Sequence, residues 1–440
     1  MNPGYIVIAI IILIFLFIAL FGKGRKKEES GGGRVKSAND IYREAAEMLG
    51  VRFIKGGVLS APRILGDVEG MTVTAGTKLL SMGGNQIAVF ERGVRYEFEC
   101  DGILEIVSGG DEMYAGTAFS ERLAVSCGDD AFDSVMTIYY SKTPSCAIAL
   151  LDSRLRSAIL DLKKNAGILL VSRHGIHIYN REGCGDPAEI ALVIRNIVDV
   201  AKIVLENSDF RRMHIENIRS DPVPAVRLKN IRMLLSHYPL DGEISRLLDA
   251  CMEDPDVLMQ FEAAKYLKAR GFEHIIRLVR EKKITKVKLI IEAVDAMGDG
   301  AYRDAAPFLM ELFEAVTNTD LRTAILATAK KLGAAPLSPF LVSLLKGRGD
   351  DTRDLAIDAL STCGTVESVE KLLKLSEDSM NPFLKNRIGE TVAAIQARLG
   401  DVEKGWLSEV AITGKEGALS KADGADEGAL SKMEDEKGKK

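Results

Sequence analysis

The fold is decided by two stretches that align without a gap, TDLRTAILATAKKLG at residues 319–333 and DDTRDLAIDALSTCG at residues 350–364. Each has an acidic start, an apolar run at helical spacing and a closing glycine. An aspartate, an arginine and this glycine recur at an interval of 31 residues: Asp320, Arg322 and Gly333, then Asp351, Arg353 and Gly364. Self-similarity at a period of 20–50 residues is typical of repeat proteins, so the pair predicts stacked helical units.

The repeat extends in both directions from this pair and predicts about six units over residues 221–407. An acidic start recurs at Asp254-Pro255-Asp256, whereas residues 285–288 lack one. No single helix pair buries its own apolar face, so the units are expected to stack as an all-α solenoid. The expected breaks between or within pairs are Pro239, Gly271, Gly298, Gly333, Gly364 and Gly400.

These residues are where the chain resembles HEAT repeats, specifically the short bacterial type. The resemblance implies an extended concave surface that binds a protein or peptide. It also implies that Arg322 and Arg353 have a structural role in holding neighbouring repeats together.

An α+β domain is expected over residues 40–210. Apolar residues alternate with polar ones at residues 71–75 and 94–100, as in half-buried strands, and glycine pairs separate the short runs, which predicts an antiparallel sheet. Either Asn39 or Asp40 is expected to cap a first helix that Gly50 ends. The apolar stripe from Ile148 to Leu162 predicts one helix, residues 168–172 and 176–179 predict strands, and Pro187 starts a helix to about Glu206.

The stretch from Gly128 to Asp133, followed by the helix that contains Leu150 and Leu151, resembles a bacterial domain of membrane-anchored proteins. That resemblance implies no particular activity.

The N-terminus predicts a transmembrane helix within residues 1–22. Residues 5–21 are consecutively apolar, and with the flanking glycines they would form about 28 Å of helix, close to the thickness of a hydrocarbon core. A cleaved signal peptide would need a basic leader and a small-residue cleavage site, which this stretch lacks. Four basic residues follow at once, so the positive-inside rule predicts an outside N-terminus and a cytoplasmic remainder: Lys23, Arg25, Lys26 and Lys27.

The expected location is therefore the cell (inner) membrane, with one span and contact with the bilayer through residues 5–21. The six cysteines have no paired spacing and read as buried apolar residues in a reducing compartment. Residues 23–39 form the basic flank and a flexible linker that contains three successive glycines.

The C-terminal tail, residues 408–440, is polar and expected to be disordered, yet Glu-Gly-Ala-Leu-Ser-Lys occurs in it twice, at residues 416–421 and 427–432. Gly405-Trp406-Leu407-Ser408 is a weaker copy. The repetition reads either as low-complexity drift or as a linear motif whose two copies raise binding through effective concentration. The candidate partner-binding residues are Trp406, Leu419, Ser420, Leu430 and Ser431.

Composition excludes several classes of function. A net charge of −5 argues against a nucleic-acid binder, and the sequence lacks phosphate-binding loops and nucleophile elbows. His174 and His177 have no cysteine or carboxylate pattern that completes a metal site, so no cofactor is expected. A basic run, Arg277 to Lys283, reads as a solvated helix face or as a contact for anionic lipid or an acidic partner.

The sequence as a whole predicts a non-enzymatic membrane-anchored scaffold that binds an unidentified cytoplasmic protein. The alternative is an enzyme or small-ligand sensor with its site in residues 40–210.

Overall fold

The structure is a computed structural model that describes residues 36–57, 60–82, 85–108, 123–181, 183, 185–346 and 350–400. The chain divides into two compact units, one ending at His237 and the other beginning at Tyr238. A sheet region comes first and a mostly helical region follows, as the sequence predicts. The predicted transmembrane segment lies outside the described residues, and within them no helix has the length and apolarity needed to cross a bilayer.

The first unit contains an antiparallel sheet of nine described strands in the order β1-β2-β3-β4-β9-β8-β5-β7-β6. Every pairing in it is antiparallel, which confirms the predicted sheet type. The register aligns Val73 with Val94 and Val94 with Ile176, and all three side chains are fully buried. The strands are β1 Arg52–Ile54, β2 Arg63–Val68, β3 Met71–Met82, β4 Asn85–Arg95, β5 Leu104–Ser108, β6 Leu123–Val125, β7 Met136–Tyr140, β8 Ile168–Ser172 and β9 Gly175–Asn180.

Helices of the first unit share one core with the sheet. Leu155 and Ile159 of one helix and Ile194 and Ile197 of another are fully buried in this core. Burying each such side chain contributes about 1.5–3 kcal/mol. The helices are α1 Ala38–Leu49, α2 Asp130–Asp133, α3 Ser145–Leu150, α4 Ser153–Lys164, α5 Pro187–Glu206, α6 Phe210–Ser220 and α7 Pro224–His237.

Helix α1 ends as predicted but starts earlier. Gly50 follows it in the left-handed region at φ 69°, a conformation that favours glycine. The cap is Ser37, whose Oγ accepts from the backbone N–H of Asp40 at 3.2 Å, while the Asp40 carboxylate accepts from Ser37 in return. The prediction of Asn39 or Asp40 as the cap was wrong, because the Asp40 side chain completes a reciprocal capping box instead.

The predicted single helix from residue 147 to residue 162 is two helices, α3 and α4. The helix is interrupted at Leu151. Asp152 then caps α4, because its side chain accepts a hydrogen bond from the N–H of Leu155 at 2.6 Å. An aspartate at a helix start satisfies an N–H group that has no partner within the helix, so the break is built into the sequence despite the continuous apolar stripe. The strand predicted to reach Cys100 ends at Arg95. The strands at residues 168–180 and helix α5 are confirmed.

The second unit is a succession of helices whose alternate members pack against each other. One row contains in turn the helices α11 (Val287–Asp299), α13 (Thr319–Leu332), α15 (Asp350–Cys363) and α17 (Pro382–Leu399). The helices are α8 Gly242–Cys251, α9 Val257–Ala264, α10 Lys268–Arg280, α11 Val287–Asp299, α12 Ala306–Ala315, α13 Thr319–Leu332, α14 Ser338–Leu344, α15 Asp350–Cys363, α16 Val366–Asp378 and α17 Pro382–Leu399, with short 3-10 turns at Arg303–Ala305 and Ala335–Leu337.

Neighbouring helices of this row are similar in length and are joined by side-chain hydrogen bonds. Helices α13 and α15 have equal length and begin 31 residues apart, as the gap-free alignment predicts. In each of α13, α15 and α17 a threonine hydroxyl donates to a backbone carbonyl of the preceding helix in the row. The bonds are Thr328 to the Val294 carbonyl at 3.1 Å, Thr362 to the Lys330 carbonyl at 2.7 Å and Thr391 to the Ile357 carbonyl at 3.5 Å.

The predicted turn glycines have two different roles. Gly333, with φ 54°, Gly364 and Gly400 directly follow helices, as predicted. Gly271 and Gly298 instead lie inside α10 and α11, so their assignment as turns was wrong. A Cβ at Gly271 would overlap the Ala264 carbonyl oxygen, so this glycine permits close approach of the backbone.

The first helix of the region predicted as repeats, α7, belongs to the first unit. It packs against α3 and α6, with Val226 and Asn230 fully buried. Arg322 has a structural role inside the second unit, since its Nε donates to the Val316 carbonyl at 2.8 Å and its guanidinium stacks on Phe313.

Candidate functional site

A groove in the second unit is the first candidate site, here called the α10 groove. It lies between α10 and the segment that leads into α12, and its volume is about 590 Å³. Ile276 and Phe308 form an apolar base that is largely covered, and charged side chains of both signs surround it. Its lining residues are Glu273, Ile276, Arg277, Arg280, Glu281, Tyr302, Asp304, Pro307 and Phe308.

Part of the basic run in this groove is already paired with acidic groups. Arg280 forms an ion pair with Glu311 at 2.6 Å and lies over the Phe308 ring. Lys283 pairs with Glu281 at 2.8 Å, and its hydrogen bond lowers the pKa of the Glu281 carboxyl below the ordinary range. These contacts reduce the positive charge available to an anionic lipid, which argues against a lipid contact at this run.

Arg277 projects from the exposed side of α10, and its guanidinium contacts Nδ1 of His274 at 2.6 Å. Nε2 of His274 contacts the Gln260 side chain at 2.9 Å. Burial and the positive charge of Arg277 lower the pKa of His274, so its neutral form prevails near neutral pH. The neutral imidazole therefore positions Arg277 without repelling it.

The first unit has its own cleft, between α4 and α5 over strand β9. Its volume is about 470 Å³. The base is apolar and includes Leu162, Ile178, Val193 and Val200, while the rim is polar. The rim residues are Asp161, Lys164, Asn165, Asn196 and Asp199.

Three buried polar side chains of the first unit form a serine–histidine–asparagine chain. Ser145 Oγ lies 2.8 Å from Nε2 of His214, and Nδ1 of the same ring lies 2.8 Å from Oδ1 of Asn230. Desolvation of the ring lowers the pKa of His214 to about 4, so the imidazole is neutral at pH 7. This is the connectivity of a nucleophile, a base and an orienting group.

The serine–histidine–asparagine hydrogen-bond chain is buried inside the protein, and this burial decides its role. The exposed fraction is 4% for Ser145 and 0% for both His214 and Asn230. A nucleophile must touch its substrate, and a hydroxyl at this depth does not. Asn217 extends the network by donating to the Ala149 carbonyl at 2.9 Å. The arrangement therefore satisfies buried polar groups where α3, α6 and α7 meet.

A buried ion pair adjoins this network. The Arg156 guanidinium donates to both carboxylate oxygens of Asp221, at 2.8 and 3.1 Å, and to Asp129 at 2.8 Å. It also donates to the Leu151 carbonyl at 2.8 Å, at the break between α3 and α4. The side chains of Arg156 and Asp221 are 3% and 1% exposed. This pair holds the helix break against the loop that leads into α7.

The two histidines considered from the sequence have different partners. Nδ1 of His177 lies 3.0 Å from Glu91, whereas His174 is exposed and lies 3.6 Å from Glu97. Burial raises the pKa of Glu91, but hydrogen bonds from His177 and Lys78 outweigh it and lower the value to about 2. No group of metal-ligating side chains occurs among the residues that the structure describes.

The site residues predicted from the sequence all lie outside the described residues. These are Trp406, Leu419, Ser420, Leu430 and Ser431 of the tail and Lys23, Arg25, Lys26 and Lys27 beside the predicted anchor. The buried network was missed because its members are far apart in the sequence. Its one local signal is His214, a polar residue between the core residues Met213 and Ile215.

Comparison with known proteins found no family model that matches the chain and no curated protein that matches it.

Proposed function

We propose that this protein is a membrane-anchored cytoplasmic scaffold that binds a partner protein through its helical-repeat unit. The observation that carries the proposal is the row of helices α11, α13, α15 and α17, which pack on one another in turn and are joined by the hydrogen bonds of Thr328, Thr362 and Thr391. Such repeats create long surfaces that suit protein or peptide partners. The resemblance of residues 319–333 and 350–364 to HEAT repeats supports the same function.

Within this unit the α10 groove is the proposed contact surface. Its rim presents Arg277 and Arg280 beside Glu273, Glu281 and Asp304, and a peptide with charges of both signs complements that pattern. Ile276 and Phe308 give such a peptide a small apolar base for one side chain.

The remaining segments complete the proposal. Residues 5–21 anchor the protein in the inner membrane, with Lys23, Arg25, Lys26 and Lys27 on the cytoplasmic side. The repeated tail motif recruits a further set of partners through Leu419, Ser420, Leu430 and Ser431, with Trp406 in the weaker copy.

The groove is tested by proximity labelling in intact cells with a charge-reversal variant. Arg277→Glu is expected to remove a subset of labelled proteins, because it reverses the charge of an exposed cation that lines the groove. Lys371→Glu reverses an exposed charge on α16, away from the groove, and serves as the matched control. An Arg277→Glu partner set that equals the wild-type set contradicts the groove assignment.

The tail and the topology need separate tests. Deletion of residues 408–440 is expected to remove other partners while folding is retained, and an unchanged set contradicts the role of the tail. Reporter fusions at the two ends test the topology: a cytoplasmic signal from the N-terminal fusion contradicts the proposed orientation.

The second candidate function is an enzyme or small-ligand sensor in the first unit. The cleft between α4 and α5 favours it by its apolar base and polar rim. A thermal-shift screen of the protein with a small-molecule library tests the sensor. A bound substrate or ligand stabilises the folded state in either case, so no shift across the library contradicts this candidate.

A further inference from the structure

Two cysteines that are far apart in the sequence lie side by side in the first unit. The register of β5 and β7 places Leu104 opposite Tyr140 in an antiparallel pair. The chain before Leu104 therefore runs beside the chain after Tyr140, which brings Cys100 towards Cys146 at the start of α3. The side chains of the two cysteines interact directly, and both are unpaired thiols.

Local contacts hold these two chain segments together. The N–H of Ile103 donates to Ser141 Oγ at 2.8 Å. Gly102, at φ 85°, allows the approach, because a Cβ there would overlap the same hydroxyl oxygen. Arg173 fixes the other side by donating to the Cys100 carbonyl at 3.4 Å. The backbone on both sides of Cys100 is thus fixed by hydrogen bonds.

The chemistry of this pair differs from that of Cys127 and Cys363. A hydrogen bond from Cys100 lowers the pKa of Cys146 to about 7, and the same interaction raises the pKa of Cys100. Burial raises the pKa of Cys127 to about 12 and that of Cys363 to about 11. Because the thiolate is the reactive form, Cys146 is assigned as the attacking thiol of the pair and Cys100 as its partner.

We propose that Cys100 and Cys146 form a reversible disulfide when the folded protein meets a peroxide. Cys100 is partly exposed to solvent, whereas Cys146 is only 9% exposed. A small oxidant fits this limited access. The fold supplies the resolving thiol at the place where the first oxidation occurs, as in a redox-sensing pair.

The reaction balances in two steps. The Cys146 thiolate attacks one oxygen of hydrogen peroxide, the O–O bond breaks and hydroxide leaves, which gives a sulfenic acid. Cys100 then attacks the Cys146 sulfur, the S–S bond forms, the S–O bond breaks and water leaves with the proton of Cys100. Overall, two thiols are oxidised and one peroxide is reduced to two water molecules. Two molecules of a cellular thiol then reduce the disulfide by exchange: the first forms a mixed disulfide and frees one cysteine, and the second frees the other cysteine and leaves a disulfide of the two cellular thiols.

Peptide mass spectrometry of the full-length protein tests the proposal. Trypsin separates the two cysteines from each other and from Cys127, into residues 96–122, 143–154 and 123–142. After treatment of the reduced protein with hydrogen peroxide, the first two peptides are expected as one linked species. Its mass is their sum less two hydrogen atoms, and dithiothreitol is expected to separate them.

Three variants decide the assignment. Cys100→Ser and Cys146→Ser are each expected to abolish the linked species, whereas Cys127→Ser, a matched control in the same unit, retains it. The Cys100→Ser variant is also expected to accumulate a sulfenic acid on Cys146 that a dimedone probe labels. Circular dichroism checks that each variant is folded. Absence of the linked species in the folded wild type, or its replacement by a link to another cysteine, overturns the proposal.

Discussion

Removal of the Arg156 guanidinium should be the most destabilising single change in the buried ion pair. In Arg156→Met, the Asp221 carboxylate stays buried at 1% exposure with both of its guanidinium hydrogen bonds lost. A buried charge that loses its partner destabilises the fold by about 3–5 kcal/mol. At tenfold per 1.4 kcal/mol, amide exchange through local opening should accelerate roughly a hundredfold to several thousandfold.

Hydrogen exchange with mass spectrometry is the suitable assay, because it reads α3, α4 and α7 separately from the second unit. The matched control is Arg154→Met on the same helix, where Arg154 pairs with Glu206 at 2.6 Å but both side chains are more than half exposed. Such surface pairs contribute about 0–1 kcal/mol.

A double variant tests the cause. Arg156→Met combined with Asp221→Asn removes both charges and keeps an acceptor for the Val223 N–H, so it should recover most of the lost protection. If Arg156→Met changes exchange no more than Arg154→Met does, or if the double variant recovers nothing, the reasoning about the buried charge is refuted.

Three further predictions concern packing and pH. Gly271→Ala should lower the midpoint of thermal unfolding, because overpacking lowers the free energy of unfolding by about 1–3 kcal/mol. Gly389→Ala, in open space on α17, should raise the free energy of unfolding by about 0.5–1 kcal/mol. Equal effects of the two variants would contradict this prediction. Because the folded pKa of His214 is about 4, below the unfolded value of 6.5, stability should fall by about 3 kcal/mol as the pH drops from 6.5 to 4. His214→Gln should flatten that part of a pH-dependent denaturation curve, and an unchanged slope would oppose it. The folded pKa of Glu91 is about 2, below its ordinary value of 4.5, so its contribution to the stability of the fold should be lost as the pH falls from 4.5 to 2. Glu91→Gln should abolish this loss and leave the loss between pH 6.5 and 4 unchanged.

Periodicity alone was enough to predict the elements whose apolar pattern is uninterrupted. Helix α5, strands β8 and β9 and the equal helices α13 and α15 have the predicted positions. The errors fell where one polar side chain competes with that pattern. Asp152 divides a continuous apolar stripe by capping α4, and Ser37 caps α1 because Asp40 reciprocates.

The candidate sites could not be predicted from the sequence, for a different physical reason. The contact between Ser145 and His214 and that between Cys100 and Cys146 depend on pairing register and helix packing. Six isolated cysteines would indicate a reducing compartment. The structure places two of them together, so cysteine spacing is weak evidence for the location.

Because α13 and α15 have equal length and begin 31 residues apart, the second unit can be shortened or lengthened by one complete 31-residue segment. Removal of residues 319–349 would join Asn318, which caps α13, directly to the first residue of α15. The shortened chain would keep a capped helix start and the same closing glycine position. Gain or loss of one such segment changes the length of the helical unit by one complete step while the core on either side keeps the same kind of helix contact.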